Sequence, residues 1–218
     1  MKYYFKTFLF IVFFSLPTLS ENLVGKYSIK TKGILIGNLV WKLNLNESYY
    51  KTALTLRSKG FLSGLYHFSG EYKSDGIIIN KNFIPESYSQ NWKTKKQEKK
   101  EKIFFVNKKI KDLILFPEEK EIHRINYKKI ENYVDPLTSF INILINNKSQ
   151  YTVDGRRTYL MFIEKQKLKK IILIKEYKNI WADHKRNDLE YLEIIETGNE
   201  IFPKQINIKF KGSIFSLI

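Results

Sequence analysis

Apolar and polar residues alternate with a period of two along most of the chain, and that period predicts half-buried strands. Leu39, Trp41, Leu43 and Leu45 alternate with Lys42, Asn44 and Asn46. An Asn46-Glu47-Ser48 turn leads into Tyr50–Leu56, where Tyr50, Leu54 and Leu56 share a face. Upstream, Lys26–Ile36, with Gly33 in its middle, reads as a bent strand or a tightly connected pair. Phe61–Tyr66 reads as a short helical turn, and Phe68–Tyr72, Gly76–Ile79 and Ile84–Trp92 continue the short strands. Ile103–Val106 and Ile110–Phe116 follow.

The period changes once. Leu137, Phe140, Ile141, Leu144 and Ile145 recur at i, i+3, i+4, i+7 and i+8, the apolar stripe of a helix. Asp135 suits its N-cap, Pro136 its first position, and Asn146 or Asn147 a left-handed close. A helix over Pro136–Asn147 is therefore expected to lay its stripe against the sheet. Strands then resume. Tyr151–Val153 and Arg156–Glu164 form a hairpin on the turn signal Asp154-Gly155. Leu160–Ile163 are apolar on both faces, which predicts a central strand. Lys170–Tyr177, Leu189–Ile195 and a last strand that starts at Phe202-Pro203 and alternates through Ile206, Ile208 and Phe210 complete the set, with no repeat and no linker. The fold class is mainly β: a curved antiparallel sheet or open β-barrel with one amphipathic helix packed against it.

Residues 1–20 break this pattern. Lys2 and Lys6 precede the nearly unbroken apolar run Phe8–Leu16, Pro17 stops it, and Thr18 and Ser20 suit a cut after Ser20. These are the three parts of a cleavable secretory signal. The run is less than half of the roughly 20 residues needed to span a bilayer. The expectation is a signal peptide at 1–20 and a single exported domain at 21–218, with no transmembrane segment in the mature form. The chain has no cysteine, which excludes disulfides, thiolate metal sites, cysteine nucleophiles and a thioether-linked lipid anchor.

The net charge of +16 invites a nucleic-acid reading, but only five of the 38 basic residues are Arg, the side chain that forks phosphates and base edges. Ile, Asn, Phe and Tyr accompany Lys, as AT-rich codon usage would produce. An anionic envelope surface is the other source considered for the charge; no nucleic acid is expected. The Lys-rich stretch 93–102 reads as a solvated hairpin tip or as a basic finger.

Catalytic signatures are missing from the sequence. His67, His123 and His184 stand far apart, and there is no nucleophile elbow, phosphate loop or dinucleotide fingerprint. No catalytic residue, metal site or cofactor is assigned. The candidate ligand-binding residues are Arg156 and Arg157, an adjacent pair suited to a carboxylate or phosphate, and Trp41, Trp92 and Trp181, which can line an apolar pocket.

The order of features resembles a family of exported proteobacterial proteins of about 200–250 residues, catalogued as a domain of unknown function. The resemblance rests on Tyr27, Gly33 and Gly37; Gly64-Leu65-Tyr66; Phe83–Tyr88; Asp135–Thr138; Val153–Arg157; and Pro203 leading to Ile206–Phe210 and Gly212. It implies a β-rich periplasmic protein without established catalytic residues. Two non-enzymatic readings follow: binding of an apolar or lipidic ligand or an envelope partner in envelope maintenance, and a structural interaction module without a cavity. An envelope hydrolase is the third, and it requires a His beside a Ser or an acidic pair in a cleft.

Overall fold

The computed structural model describes residues 21–64, 67–166, 169–181, 188–195 and 201–218. The expected signal peptide, His184 and the Leu65-Tyr66 part of one motif lie outside them. The first seven strands, β1 (Glu21–Thr31), β2 (Ile34–Leu45), β3 (Tyr49–Ser58), β4 (Phe68–Ile79), β5 (Asn82–Thr94), β6 (Glu98–Val106) and β7 (Lys109–Phe116), form one antiparallel meander. A connection carries α1 (Pro136–Asn146) across to the opposite edge. There β8 (Gln150–Val153), β9 (Arg157–Gln166), β10 (Lys169–Asn179), β11 (Leu189–Ile195), β12 (Gln205–Phe210) and β13 (Ser213–Leu217) meander back until β13 pairs with β1.

The result is one antiparallel sheet of 13 strands in the order β7 to β1, then β13 to β8. The ladder does not close on itself, because edge strands β7 and β8 do not pair with each other. The segment 131–134 lies between them, with Glu131 bridging to Lys109 and Val134 to Thr152. The turn between β8 and β9 closes the seam further down. A Cβ on Gly155 would stand 3.3 Å from Leu113 and 3.5 Å from Leu115 of β7, and its φ of +92° is open to glycine at little cost.

The helix begins where its cap residue predicts, with Asp135 Oδ1 accepting from the amides of Leu137 and Thr138, and Asn147 ends it in the left-handed region. It lies inside the curve of the sheet, with Ile141 and Ile143 in a core shared with Trp41, Leu43, Tyr50, Ile172 and Ile194. Leu137 enters a second core with Tyr88, Ile103 and Val153. Its burial departs from the expected stripe. Thr138, Ser139 and Asn142 are buried, whereas Phe140, Leu144 and Ile145 are half-exposed. The reason is lateral anchoring: the helix is hydrogen-bonded to the sheet through these polar side chains. Thr138 Oγ1 meets Tyr50 OH at 2.6 Å, Ser139 Oγ meets Thr152 Oγ1 at 2.6 Å, and Asn142 both accepts from the Phe83 amide and donates to its carbonyl at 2.9 Å. Near its other end, buried Lys170 donates to the Leu144 carbonyl, placing a cation at the negative pole of the helix.

Strand β9 is not central but next to the edge, although it is apolar on both faces. The Phe61–Gly64 turn is a short 3-10 helix, and 93–102 spans the β5–β6 hairpin tip. No helix among the described residues is long and apolar enough to cross a membrane.

Candidate functional site

The wall has a lateral gap beside β1. Its neighbour β13 pairs only with Ile29–Thr31, with two further backbone bonds joining Ser28 and Ile218. Above that point Glu21–Tyr27 has a strand partner on the β2 side only, among the described residues. Residues 201–204 lie along the gap: the Tyr27 hydroxyl donates to the Pro203 carbonyl at 2.8 Å. Gly25 permits the approach, since a Cβ there would stand 3.2 Å from the Phe202 ring. Between β1 and this segment a cleft of about 600 Å³ opens, lined by Leu23, Tyr27, Ile201, Phe202 and Ile218, with Glu21, Lys26 and Lys204 among its charged lining.

Behind the cleft wall the rings are closely packed. The Phe202 ring lies 4.8 Å from Trp41, and Trp41 lies 5.5 Å from half-exposed Phe140 of the helix. Trp41 is held from behind, its indole N–H donating to Thr52 Oγ1 at 2.7 Å. The cleft lining is thus mixed: Leu23, Tyr27, Ile201 and Phe202 give it apolar surface, and Glu21, Lys26 and Lys204 give it charge.

The other predicted residues lie elsewhere. Trp92 is on the inner face of β5, stacked on Phe68 at 5.7 Å. Trp181, Arg156 and Arg157 come together at the seam, where the Trp181 indole donates to the Gly155 carbonyl at 3.2 Å. Arg156 Nε donates to Glu101 Oε1 at 2.8 Å, Nη1 pairs with Glu119, and Nη2 donates to the Pro117 carbonyl. Arg157 donates to the Tyr177 hydroxyl at 3.0 Å, with Asp154 at 3.9 Å. Arg156 thus ties the β8–β9 turn to β6 and the connection after β7, and Arg157 ties β9 to β10. Burial pushes the Glu101 carboxyl up to about 7, aided by nearby Asp154 and opposed by Arg156. Asp154 is also raised, chiefly by its partial burial.

A second buried polar group sits at the head of the helix. Asp135 Oδ2 accepts from Ser74 Oγ at 2.9 Å and from Thr138 Oγ1. Burial pushes this carboxyl up to about 6 against the four hydrogen bonds that favour its charge. His67 lies 3.5 Å from Ser58 at an exposed site, and His123 packs edge-on to Tyr127 and Trp181. The sequence reads Phe202-Pro203 as the start of the last strand, but β12 begins at Gln205 and these two residues lie along the gap instead, a placement that depends on β13 stopping short, which local pattern does not encode.

A single curved sheet holding one α-helix, with a lateral cleft of mixed polar and apolar lining, is the class of protein these features define. A family model described as "Protein of unknown function (DUF3108)" matches residues 26–178, and the chain belongs to this family. The match begins within β1 and ends within β10. Neither the curated proteins nor the solved structures searched contain a match.

Proposed function

We propose that this protein is exported to the periplasm of a Gram-negative bacterium, loses residues 1–20, and binds the acyl chain of a lipid or similar amphiphile as part of cell-envelope maintenance. The observation that carries the reading is the cleft beside β1, whose wall residue Phe202 packs on the buried Trp41. The apolar chain lies among Leu23, Tyr27 and Phe202, and Lys26 and Lys204 meet an anionic head group at the rim. The role is non-enzymatic.

The test is native mass spectrometry of the protein purified from a periplasmic extract, followed by organic extraction of any bound species. A stoichiometric lipid adduct, lost in Leu23→Glu, supports the reading. Protein found only without ligand, and failing to take up a hydrophobic dye, counts against it.

One observation favours a second reading. Glu21–Tyr27 offers a strand edge, and an extended segment of an envelope protein could add to it. A partner cross-linked at Val24, with no lipid adduct, selects that reading.

A further inference from the structure

Strands β9 and β10 are apolar on both faces, yet the sheet is a single layer. Their inward residues Tyr159, Met161 and Ile172 are buried in the larger core. Leu160, Phe162, Ile171, Leu173, Tyr191 and Ile195 alternate with the inward set and face the other way. They belong to neither buried cluster, and all six are half-buried. The ladder makes them contiguous: Leu173 stands opposite both Phe162 and Tyr191, Ile171 is flanked by Glu164 and Glu193, and Tyr151, 43 % exposed, stands opposite Leu160. Strands apolar on both faces are normally covered on both.

The charges around this patch are sorted. Glu164 and Glu193 lie on one side of the Phe162–Leu173–Tyr191 row; Lys209 stands at its end, opposite Tyr191, and Lys175 lies beyond the row on the other side. Lys175 Nζ sits 3.9 Å from the Phe162 ring centre, and Lys169 pairs with Glu193 at 2.6 Å. The balance is therefore close to even, on a chain of net charge +16. An anionic membrane surface would gain little attraction here. A second copy of the same face gains more. With Glu193 already paired to Lys169, a two-fold axis lying in the interface and running across the strands along that row brings Glu164 of one protomer over the Lys175 side of the other. Sheets packed this way cross at a shallow angle, as aligned sandwiches do.

We propose that the outward face of β8–β11 is the interface of a two-fold homodimer, in which Leu160, Phe162 and Leu173 pack face to face and Glu164 of each protomer meets Lys175 of the other. The interface stands independently of ligand binding at the cleft, whose lining comes from β1, residues 201–204 and Ile218 and includes none of β8–β11.

The test is sedimentation equilibrium of protein expressed from the full-length chain, with the mass recording whether residues 1–20 are retained. The expected species has twice the protomer mass at micromolar concentration. Leu173→Glu gives monomer. Glu164→Lys and Lys175→Glu each weaken the dimer about tenfold, and the double reversal restores it. Should Leu173→Glu fail to fold, the exposed Lys175→Glu and its rescue carry the test alone. Three results overturn the proposal: a monomer at every concentration with or without residues 1–20, a dimer indifferent to all of these variants, and a monomer that binds anionic vesicles through Leu173.

Discussion

Asp135 sets two effects against each other, and replacing it by Asn measures the balance. At a helix N-cap, the backbone amides and the helix dipole favour an ionised carboxylate and lower its pKa. Complete burial acts the other way, and here burial wins, raising Asp135 from the usual 3.8 to about 6. The native state therefore binds this proton more tightly than the unfolded chain does. The stability it contributes is fully present below about pH 4 and is lost as the pH rises through about 6. At about 1.4 kcal/mol per pH unit, ionisation costs the fold about 3 kcal/mol by pH 7.

Asn keeps the oxygen that accepts from Leu137 and Thr138, and it never ionises. Its extra donor points toward Ser74 and Thr138, whose hydroxyls must turn to accept, at a cost of about 1 kcal/mol that does not vary with pH. Asp135→Asn is accordingly neutral or slightly destabilising at pH 4 and gains about 3 kcal/mol relative to the natural protein between pH 4 and 7. Urea unfolding followed by circular dichroism across that range measures the difference directly. A difference that stays constant with pH refutes the reasoning. A difference of opposite sign shows that the cap, rather than burial, governs the site.

Other predictions concern the seam and the helix anchors. Arg156→Ala leaves the buried Glu101 carboxylate without its guanidinium; it destabilises by about 3 kcal/mol at pH 8 and by less at pH 6, where Glu101 holds a proton, as urea unfolding at the two values would show. Gly155→Ala forces a Cβ against Leu113 at a φ of +92° and lowers stability by about 1–2 kcal/mol, read as a fall in the thermal midpoint. Asn142→Leu, close in size but without hydrogen bonds, orphans the Phe83 amide and carbonyl and costs about 2 kcal/mol, whereas Asn142→Asp recovers part of it only at acid pH, where the protonated carboxyl can both accept from the amide and donate to the carbonyl, as the same assay would show.

The sequence made the local elements legible because their signals are local. Asp135, Pro136 and Asn147 mark the helix ends, Asp154-Gly155 marks a hairpin, and the period-two runs mark most strands. Facing was harder to read. The apolar stripe of the helix suggested which side was buried, but Thr138, Ser139 and Asn142 are buried more deeply, since each finds a partner on a strand distant in sequence. Composition alone treats those residues as surface. Strand β9 misled for a related reason: an apolar outer face signals a covering layer, and the pattern cannot say whether that layer belongs to the same chain. Of the five candidate ligand-binding residues, only Trp41 lies behind the cleft. Adjacent arginines drew notice as a binding pair, yet Glu101 and Glu119, which occupy Arg156, are more than thirty residues away along the chain.

The ligand reading stands or falls on where an apolar chain settles. Brominated fatty acid titrated into the purified protein quenches only the tryptophans it approaches, and the three indoles occupy three separate regions. The account predicts saturable quenching that survives Trp92→Phe and Trp181→Phe and disappears in Trp41→Phe. No saturable quenching, or quenching carried by Trp181 at the seam, contradicts it.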